Sequence, residues 1–247
     1  MKRDNWLLFI AYQPYKWLIF APWVVVSTLF FGILTVLLVS LTGPKTASRI
    51  GGRTWARLNG FLTPMLVTVE GRENIDPQQS YVIVCNHQSQ YDIFVLYGWL
   101  GIDFRWVMKQ DLRKIPALGV ACERIGHIFI DRSNHDKALA SINAAKKQIF
   151  NGTSVIFFPE GTRSIDGNLR TFKKGAFKIA VDMSLPLLPV TITGTREILP
   201  TGSINLFPGR AHMIIHAPID TTGYDDDRLQ DLMNHTRDVI ASALPRY

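Results

Sequence analysis

The sequence has little cysteine and little charge. Its 247 residues include two cysteines, Cys85 and Cys122, which are too few for a disulfide framework and do not form a CxxC pair typical of zinc or redox sites. Charged residues make up 19% of the chain and aromatic residues 11%. Disordered chains carry more charge and fewer aromatic side chains, so this composition indicates a folded protein.

Signatures of several common enzyme classes are also missing from the sequence. It has no GxxxxGK loop followed by Ser or Thr and no GxGxxG loop, which disfavours ATP and NAD as ligands. It has no GxSxG elbow, so nothing marks Ser89 as a nucleophile although it lies close to His87. Cys85 ends an apolar run and fits a small core residue better than a thiol nucleophile. His212 and His216 would lie about 13 Å apart on a strand, so no joint metal site is expected.

Ionisable side chains are absent from residues 17–41. As a helix this stretch would extend ~37 Å, enough to cross a hydrocarbon core of ~30 Å. A shorter apolar stretch at 6–12 precedes it, so the segment is either one spanning helix with a short preamble or two helices forming a shallow hairpin in one leaflet. A cleaved signal peptide would have a shorter apolar region and a small-residue cleavage site. The sequence therefore predicts permanent membrane association.

Basic residues follow the apolar stretch. The net charge of the chain is +7, and four cations precede the first acidic residue after the stretch, Glu70: Lys45, Arg49, Arg53 and Arg57. Their spacing of four predicts one stripe on a helix, which either faces anionic lipid headgroups or is an ordinary solvated face. Glycines at 51–52 weaken the prediction of a helix. The cluster also predicts that residues from 42 onward stay on the cytoplasmic side, and no pattern indicates nucleic-acid binding.

Beyond this segment, short β-branched runs alternate with longer helical patterns. Candidate strands lie at 66–70, 81–85, 104–108, 127–130, 154–158, 187–192 and 212–217. Candidate helices lie near 46–62, 91–99, 135–150, 173–183 and 226–243. We predict an α/β fold with a mainly parallel central sheet of about seven strands flanked by helices, preceded by an N-terminal apolar helical membrane segment. Residues 1–62 would form the membrane-associating segment and 63–247 the catalytic domain.

Polar clusters follow three of the predicted strands, where chemistry in such folds usually occurs: NHQSQYD at 86–92, the end of GHIFIDR at 126–132, and PEGTRS at 159–164. His87 and Asp92 are five residues apart and would not share a helix face. They can meet only if His87 precedes the helix and Asp92 reaches back from its first turn. The carboxylate would then hold one imidazole nitrogen and leave the other as a general base. The alternative is a capping aspartate beside a histidine bonded to backbone.

The cluster at 159–164 suits an anion. Gly161 permits close backbone approach, and a guanidinium together with backbone donors makes a phosphate site. Other cations, Lys173 and Lys174, can add to such a pocket or lie on an ordinary solvated surface. We predict that the substrate-binding residues at this edge of the sheet are Lys109, Arg132, Glu160, Gly161, Thr162 and Arg163.

Together the clusters resemble the glycerolipid acyltransferases, specifically the 1-acyl-sn-glycerol-3-phosphate acyltransferases of the PlsC type. NHQSQYD matches the NHxxxxD block of that family, and the three blocks that follow it resemble GHIFIDR, FPEGTRS and LLPVTI, in the family's order over roughly residues 65–195. The resemblance implies that His87 is the catalytic base and Asp92 its orienting partner. It implies that the acceptor site and the acyl-side wall include Arg132, Glu160, Gly161, Arg163 and Pro189.

The resemblance also implies a reaction, the transfer of a fatty acyl group from a thioester to the sn-2 hydroxyl of lysophosphatidic acid, giving phosphatidic acid for phospholipid synthesis. Direct attack by the hydroxyl needs no acyl-enzyme, and no cofactor or metal is expected. The donor would be acyl-CoA or acyl-carrier protein. The expected location is a membrane, the inner membrane in bacteria, with the catalytic domain on the cytoplasmic face.

Three alternatives remain from the sequence. The first is an acyltransferase for another acceptor, either glycerol 3-phosphate or a lysophospholipid that carries a headgroup. The second is a non-catalytic module that binds anionic lipid. The third is a thioester hydrolase, which would release fatty acid and thiol without an acceptor.

Overall fold

A seven-stranded sheet lies at the centre of the computed structural model, which describes residues 6–131, 140–141, 143–144 and 146–245. The strands are β1 (Met65–Glu70), β2 (Val82–Cys85), β3 (Asp103–Lys109), β4 (Ile128–Ile130), β5 (Thr153–Phe157), β6 (Leu187–Thr193) and β7 (Gly209–Ile215). Their order across the sheet is β1-β7-β6-β2-β5-β3-β4, and the β6–β7 pair is antiparallel among otherwise parallel neighbours. The strands confirm the predicted mainly parallel sheet.

Helices flank this sheet. The described α-helices are α1 (Trp6–Tyr15), α2 (Ala21–Thr42), α3 (Pro44–Ala47), α4 (Arg53–Leu62), α5 (Tyr91–Trp99), α6 (Leu118–Ile125), α7 (Gly175–Asp182), α8 (Thr195–Ile198) and α9 (Leu229–Ser242). Short 3₁₀ turns lie at Arg72–Asn74, Gln110–Lys114 and Lys146–Gln148. The helix predicted near 135–150 falls partly outside the described residues; residues 140–141 and 143–144 within it are helical.

Two hydrophobic cores, one on each face of the sheet, explain the apolar runs. Alternate side chains of a strand point to opposite faces, so Ile83 of β2 joins one core and Val84 the other. Leu96 of α5 lies in the first core, and Phe177 of α7 lies in the second. Burial on both faces accounts for runs such as VIVC, in which every residue is apolar.

The apolar N-terminal segment is a continuous helical run. A π-helical turn, Lys16–Phe20, joins α1 to α2, and no break separates them at residues 13–16, where the two-helix alternative requires one. The part from 9 to 42 is long and apolar enough to cross a membrane, by length and composition alone. The chain reverses direction only at Gly43, which adopts a φ of +81°. The structure therefore has one long apolar helix, not a pair of short ones.

One face of α2 packs against the rest of the protein. After Gly43, a helical stretch made of α3, a second π-helical turn (Ser48–Gly52) and α4 returns along α2, and α4 packs on α5. Trp55 Nε1 donates to Thr28 Oγ1 at 3.2 Å, and a Cβ on Gly32 would collide with Ala117, next to α6. The opposite face exposes side chains suited to contact with lipid: Val25, Val26, Leu29, Phe30, Ile33 and Leu37. The boundary near residue 62 stays a prediction.

Candidate active site

The polar loops after β2, β5 and β6 meet at one edge of the sheet. These three strands are adjacent and parallel, so their carboxyl ends lie together at what we call the carboxyl edge. Residues 86–90 leave β2 and lead into α5, 158–174 leave β5, and α8 follows β6 directly. The sequence clusters at 86–92 and 159–164 are therefore brought together in space.

His87 and Asp92 form a hydrogen-bonded pair at this edge. His87 precedes α5 and Asp92 lies in its first turn, the arrangement that their spacing requires. His87 Nδ1 lies 2.8 Å from Asp92 Oδ2. Because a carboxylate accepts hydrogen bonds, Nδ1 carries the proton and Nε2 is left to accept one. The side chain of His87 remains 14% exposed while that of Asp92 is fully buried.

Four donors surround the Asp92 carboxylate. Besides His87, the backbone N–H groups of Gln88 and Ser89 donate to Oδ2 at 2.7 and 2.9 Å. The Thr195 hydroxyl, from the start of α8, donates to Oδ1 at 2.5 Å. A buried carboxylate needs such partners to offset its lost hydration. They also fix the direction in which Asp92 holds the imidazole.

Glu160 joins the loop after β2 to the loop after β5. Its Oε1 accepts the His87 backbone N–H at 2.8 Å, and its Oε2 accepts that of Arg170 at 2.9 Å. Burial raises the pKa of Glu160, and these two hydrogen bonds oppose the rise. The Ser164 N–H donates to the His87 carbonyl at 2.7 Å. Both backbone groups of His87 are thus held by the 158–174 loop.

Phe158 limits the motion of the His87 ring. The two rings stack with centroids 3.7 Å apart and planes 11° from parallel. Trp106 of β3 packs on Phe158 with centroids 5.8 Å apart. With its backbone, Nδ1 and ring face all contacted, the imidazole is held in one position, and an imidazole held in this way beside a carboxylate can act as a general base.

A family model described as "Acyltransferase" matches residues 66–193, slightly more than half of the chain. The chain belongs to the acyltransferase family. The matched range contains both members of the His87–Asp92 pair and Glu160, and the resemblance read from the sequence motifs is confirmed.

Individual relatives of this chain are named 1-acyl-sn-glycerol-3-phosphate acyltransferases. One from Chlamydomonas reinhardtii is 34% identical over 72% of the chain and 53% of its own length, and a chloroplastic one from Arabidopsis thaliana is 36% identical over 72% and 49%. The chain thus spans about half the length of these two relatives. A Saccharomyces cerevisiae relative is 29% identical over 87% of the chain and 72% of its own length.

A solved structure is similar to this protein over nearly the whole chain. The crystal structure of the 1-acyl-sn-glycerophosphate acyltransferase PlsC from Thermotoga maritima superposes with a TM-score of 0.78 at 28% sequence identity. The similarity covers 97% of this chain and 95% of that one. It therefore extends beyond the catalytic sheet into the N-terminal helical segment.

The predicted anion-binding residues that follow β5 lie at the carboxyl edge. Arg163 Nη1 donates to Gln90 Oε1 at 2.6 Å, which places the guanidinium over the loop that carries His87. Gly161 has a φ of +74°, and a Cβ there would lie 2.9 Å from Lys173 Nζ, so the ammonium approaches the glycine backbone. Thr162 is exposed next to them. The Arg163 and Lys173 side chains thus bring two cations to the carboxyl edge.

The other residues predicted to bind substrate have no described contact with His87 or Asp92. Lys109 ends β3 at the same edge, but it is 60% exposed and lies 2.5 Å from the Asp111 carboxylate. Pro189 is buried within β6 beside Val84, inside the sheet. Arg132 lies outside the described residues, so its place in the phosphate site stays a prediction.

The two alternative nucleophiles are buried. Cys85 has no exposed surface, and burial, with added repulsion from Asp92 and Glu160, raises the pKa of its thiol well above the ordinary value. The Ser89 hydroxyl donates to the Leu199 carbonyl at 2.7 Å. Among the described residues, no group of three or more His, Cys, Asp or Glu side chains could hold a metal.

Reasoning from the sequence missed three residues that build the site: Asn86, Phe158 and Thr195. The Asn86 amide donates to the Ile192 carbonyl at 2.8 Å and accepts its N–H at 2.7 Å, tying the end of β2 to β6. All three follow apolar runs at the carboxyl edge, the position that marked the other clusters. That shared position is the signal that could have found them.

Proposed function

We propose that this chain transfers a fatty acyl group from an acyl thioester to the sn-2 hydroxyl of lysophosphatidic acid, giving phosphatidic acid. The observation that carries the proposal is the His87–Asp92 pair, with 2.8 Å between Nδ1 and Oδ2 and with Nε2 left to accept a proton. The names of the relatives support this reaction. The cations of Arg163 and Lys173 beside the pair support an anionic acceptor.

The chemistry follows from the imidazole. His87 Nε2 takes the proton of the acceptor hydroxyl, while the hydroxyl oxygen forms a bond to the thioester carbonyl carbon. When the carbon–sulfur bond breaks, the imidazolium returns the proton to the leaving thiolate, so charge and atoms balance. Asp92 stabilises the imidazolium throughout. Because no acyl-enzyme forms, the burial of Cys85 and Ser89 is no obstacle.

The acceptor's phosphate would bind to cations at the carboxyl edge. Arg163 and Lys173 supply a guanidinium and an ammonium close to His87, and Arg132 remains a further candidate. Fixing the phosphate would place the hydroxyl near Nε2. Glu160 differs from the expectation that it contacts the acceptor: both of its oxygens accept backbone N–H groups, so we assign it a positioning role.

We also propose how the protein lies in the membrane and which acyl donors it uses. The exposed apolar face of α2 would lie in the lipid that supplies the acceptor. We keep the prediction that the catalytic domain is on the cytoplasmic face, of the inner membrane in bacteria. The donor is acyl-CoA or acyl-carrier protein, and both are to be compared directly.

The test is thiol release by the purified protein in neutral detergent, with product mass determined. Acceptors are lysophosphatidic acid, glycerol 3-phosphate, lysophosphatidylcholine and none, each with acyl-CoA and with acyl-carrier protein as donor. We expect rapid thiol release only with lysophosphatidic acid, and a loss of at least ~100-fold in His87→Ala. His235→Ala is the matched control because His235 is exposed on α9.

Each other outcome selects an alternative. Thiol release with free fatty acid and no acceptor would indicate a thioester hydrolase. Faster turnover with glycerol 3-phosphate or lysophosphatidylcholine would reassign the acceptor. A folded protein that binds lipid but transfers nothing with either donor would be a non-catalytic binding module.

A further inference from the structure

A polar cavity opens at the edge of the sheet opposite to the carboxyl edge. It has a volume of about 340 Å³ and is lined by Pro77, which precedes β2, and by Asp103 and Phe104 at the start of β3. His87, in contrast, follows the end of β2. Strands rise about 3.3 Å per residue, so the length of the sheet and its buried core separate this cavity from the His87–Asp92 pair.

Most of the charged side chains that line this cavity are cations. Lys45 of α3, Arg49 of the second π-helical turn and Arg53 of α4 all line it, because a spacing of four on a helical stretch turns their side chains to one side. Among the described lining residues, Asp103 is the acidic one. Its carboxylate already accepts from Arg105 Nη1 at 2.9 Å and from Thr153 Oγ1 at 3.0 Å.

The charge of the cavity is unbalanced, as Arg53 shows. Burial lowers the pKa of this arginine, and repulsion from three nearby guanidinium groups, those of Arg57, Arg49 and Arg72, lowers it further. Asp103 offsets only part of that repulsion. An anion placed among these side chains would relieve their mutual repulsion.

The remaining lining fits a phosphate group. Thr46 brings a hydroxyl group to the cavity, and Ser48 and Tyr97 bring a pair of hydroxyl groups that hydrogen-bond each other at 2.9 Å. The side chains of Tyr97 and Ile102 add apolar wall. Guanidinium and ammonium groups with hydroxyl donors match the oxygens of a phosphate. The volume lies within the ~300–1,000 Å³ typical of small-molecule sites. We propose that this cavity is a second phosphate-binding site, distinct from the site of acyl transfer.

Two sources can supply this phosphate. The cavity follows directly on α2, whose last turns expose Leu37 and Leu41, so the phosphate of a membrane lipid could bind there with its chains along the helix. A water-soluble phosphate would use the same cations. The chemistry is the same in both cases, and the experiment separates them.

The experiment is a titration followed by thermal unfolding of the full-length protein in neutral detergent micelles. The probes are inorganic phosphate and dioctanoyl phosphatidylglycerol, which is neither the proposed acceptor nor the proposed product. We expect a saturable rise in Tm, and an apparent Kd at least tenfold weaker in the Arg49→Gln/Arg53→Gln double variant than in the parent.

Two comparison variants separate this site from other effects. Lys146→Gln/Lys147→Gln removes the same charge from the turn before β5, whose lysines do not line the cavity, and should keep the parent's Kd. Arg163→Gln removes the proposed acceptor contact at the carboxyl edge and should also keep it. Because no transfer is measured, the outcome is independent of the proposed enzymatic function.

The outcomes are distinct. A response to phosphatidylglycerol alone identifies a lipid headgroup site, whereas equal responses to both probes mean that the phosphate group suffices. An unchanged Kd in the Arg49→Gln/Arg53→Gln variant, or no saturable rise in the parent with either probe, overturns the proposal. If that variant does not fold, Lys45→Gln takes its place, and an unchanged Kd there overturns the proposal equally.

Discussion

The two edges of the sheet hold charged side chains in opposite ways. At the carboxyl edge, Asp92 accepts four hydrogen bonds and Glu160 accepts two, all from the protein itself. At the other edge, three cations line a cavity in which Asp103 is the one carboxylate among the described lining residues, and that carboxylate is already engaged. The two carboxylates of the carboxyl edge thus have their partners within the protein, whereas the cations of the cavity outnumber the carboxylate beside them.

This difference follows from what each edge has to do. A general base works best when its partners are already in place, because no reorganisation is then needed as charge develops. Buried carboxylates ringed by backbone N–H groups meet that condition. A binding cavity instead gains its affinity from charge left unpaired until the ligand arrives. Substitutions of the two carboxylates at the carboxyl edge should therefore change turnover, and substitutions of the cations that line the cavity should change binding.

The largest effect should come from Asp92→Asn. The amide cannot stabilise an imidazolium as a carboxylate does, and it weakens the acceptor held by Gln88, Ser89 and Thr195. We expect kcat with lysophosphatidic acid to fall ~10³-fold. The control is Asp231→Asn, an exposed aspartate on α9. A loss of less than tenfold would mean that the pair is not the centre of catalysis.

Glu160→Gln should have the next largest effect. An amide has one oxygen and would turn its NH₂ group toward a backbone N–H, so the hold on either His87 or Arg170 would be lost. We expect kcat to fall ~10–100-fold with the acceptor KM nearly unchanged and with the protein still folded by circular dichroism. If KM rises and kcat does not change, Glu160 contacts the acceptor, as the sequence resemblance implies.

Arg163→Gln should act mainly on binding. Losing one charge-assisted contact to a phosphate should raise the acceptor KM by about tenfold while changing kcat little. Steady-state kinetics with lysophosphatidic acid measure both constants, and Arg228→Gln, at an exposed arginine next to α9, is the control. An unchanged KM would remove Arg163 from the phosphate site.

The sequence predicted the contact between His87 and Asp92 because its geometry is local. Five residues separate His87 from Asp92, and the start of α5 between them decides whether they meet. The strands were also predictable, because β-branched runs such as VIVC fit a buried parallel sheet and little else. These features depend on neighbouring residues, and neighbouring residues are what a sequence pattern describes.

The partners that complete each edge depend on tertiary packing. Thr195 lies 103 residues from the Asp92 it contacts, and no periodicity links them. Likewise, the basic stripe after α2 was visible in the sequence, but its closure into a cavity needs Tyr97 and Asp103 from other elements. The sequence also left open whether the apolar segment forms one helix or two. The answer depends on tertiary packing, since α2 packs along α4 and α6.

The smallest expected effect concerns pH, and it tests whether a histidine beside the cavity lining makes the stability of the protein sensitive to acid. His127 lies beside Tyr97 of the cavity lining, with 3.4 Å between its Nε2 and the tyrosine hydroxyl, and its Nδ1 accepts the Trp106 N–H at 3.3 Å. Burial, with repulsion from Arg105, lowers the pKa of His127 from 6.5 to about 3. Between pH 6.5 and about 3, His127 therefore binds a proton in the unfolded chain but stays neutral in the folded protein.

The protonation of His127 should therefore leave the free energy of unfolding unchanged above pH 6.5 and should lower it steadily as the pH drops toward 3. Urea unfolding in detergent at pH 8, 6 and 5 should show a shallower fall in His127→Gln than in the parent, whereas His235→Gln, at an exposed histidine, should follow the parent. Because glutamine gains no proton on acidification, the shallower slope would assign the acid sensitivity to His127. Parallel slopes in the parent and His127→Gln would place it elsewhere in the protein.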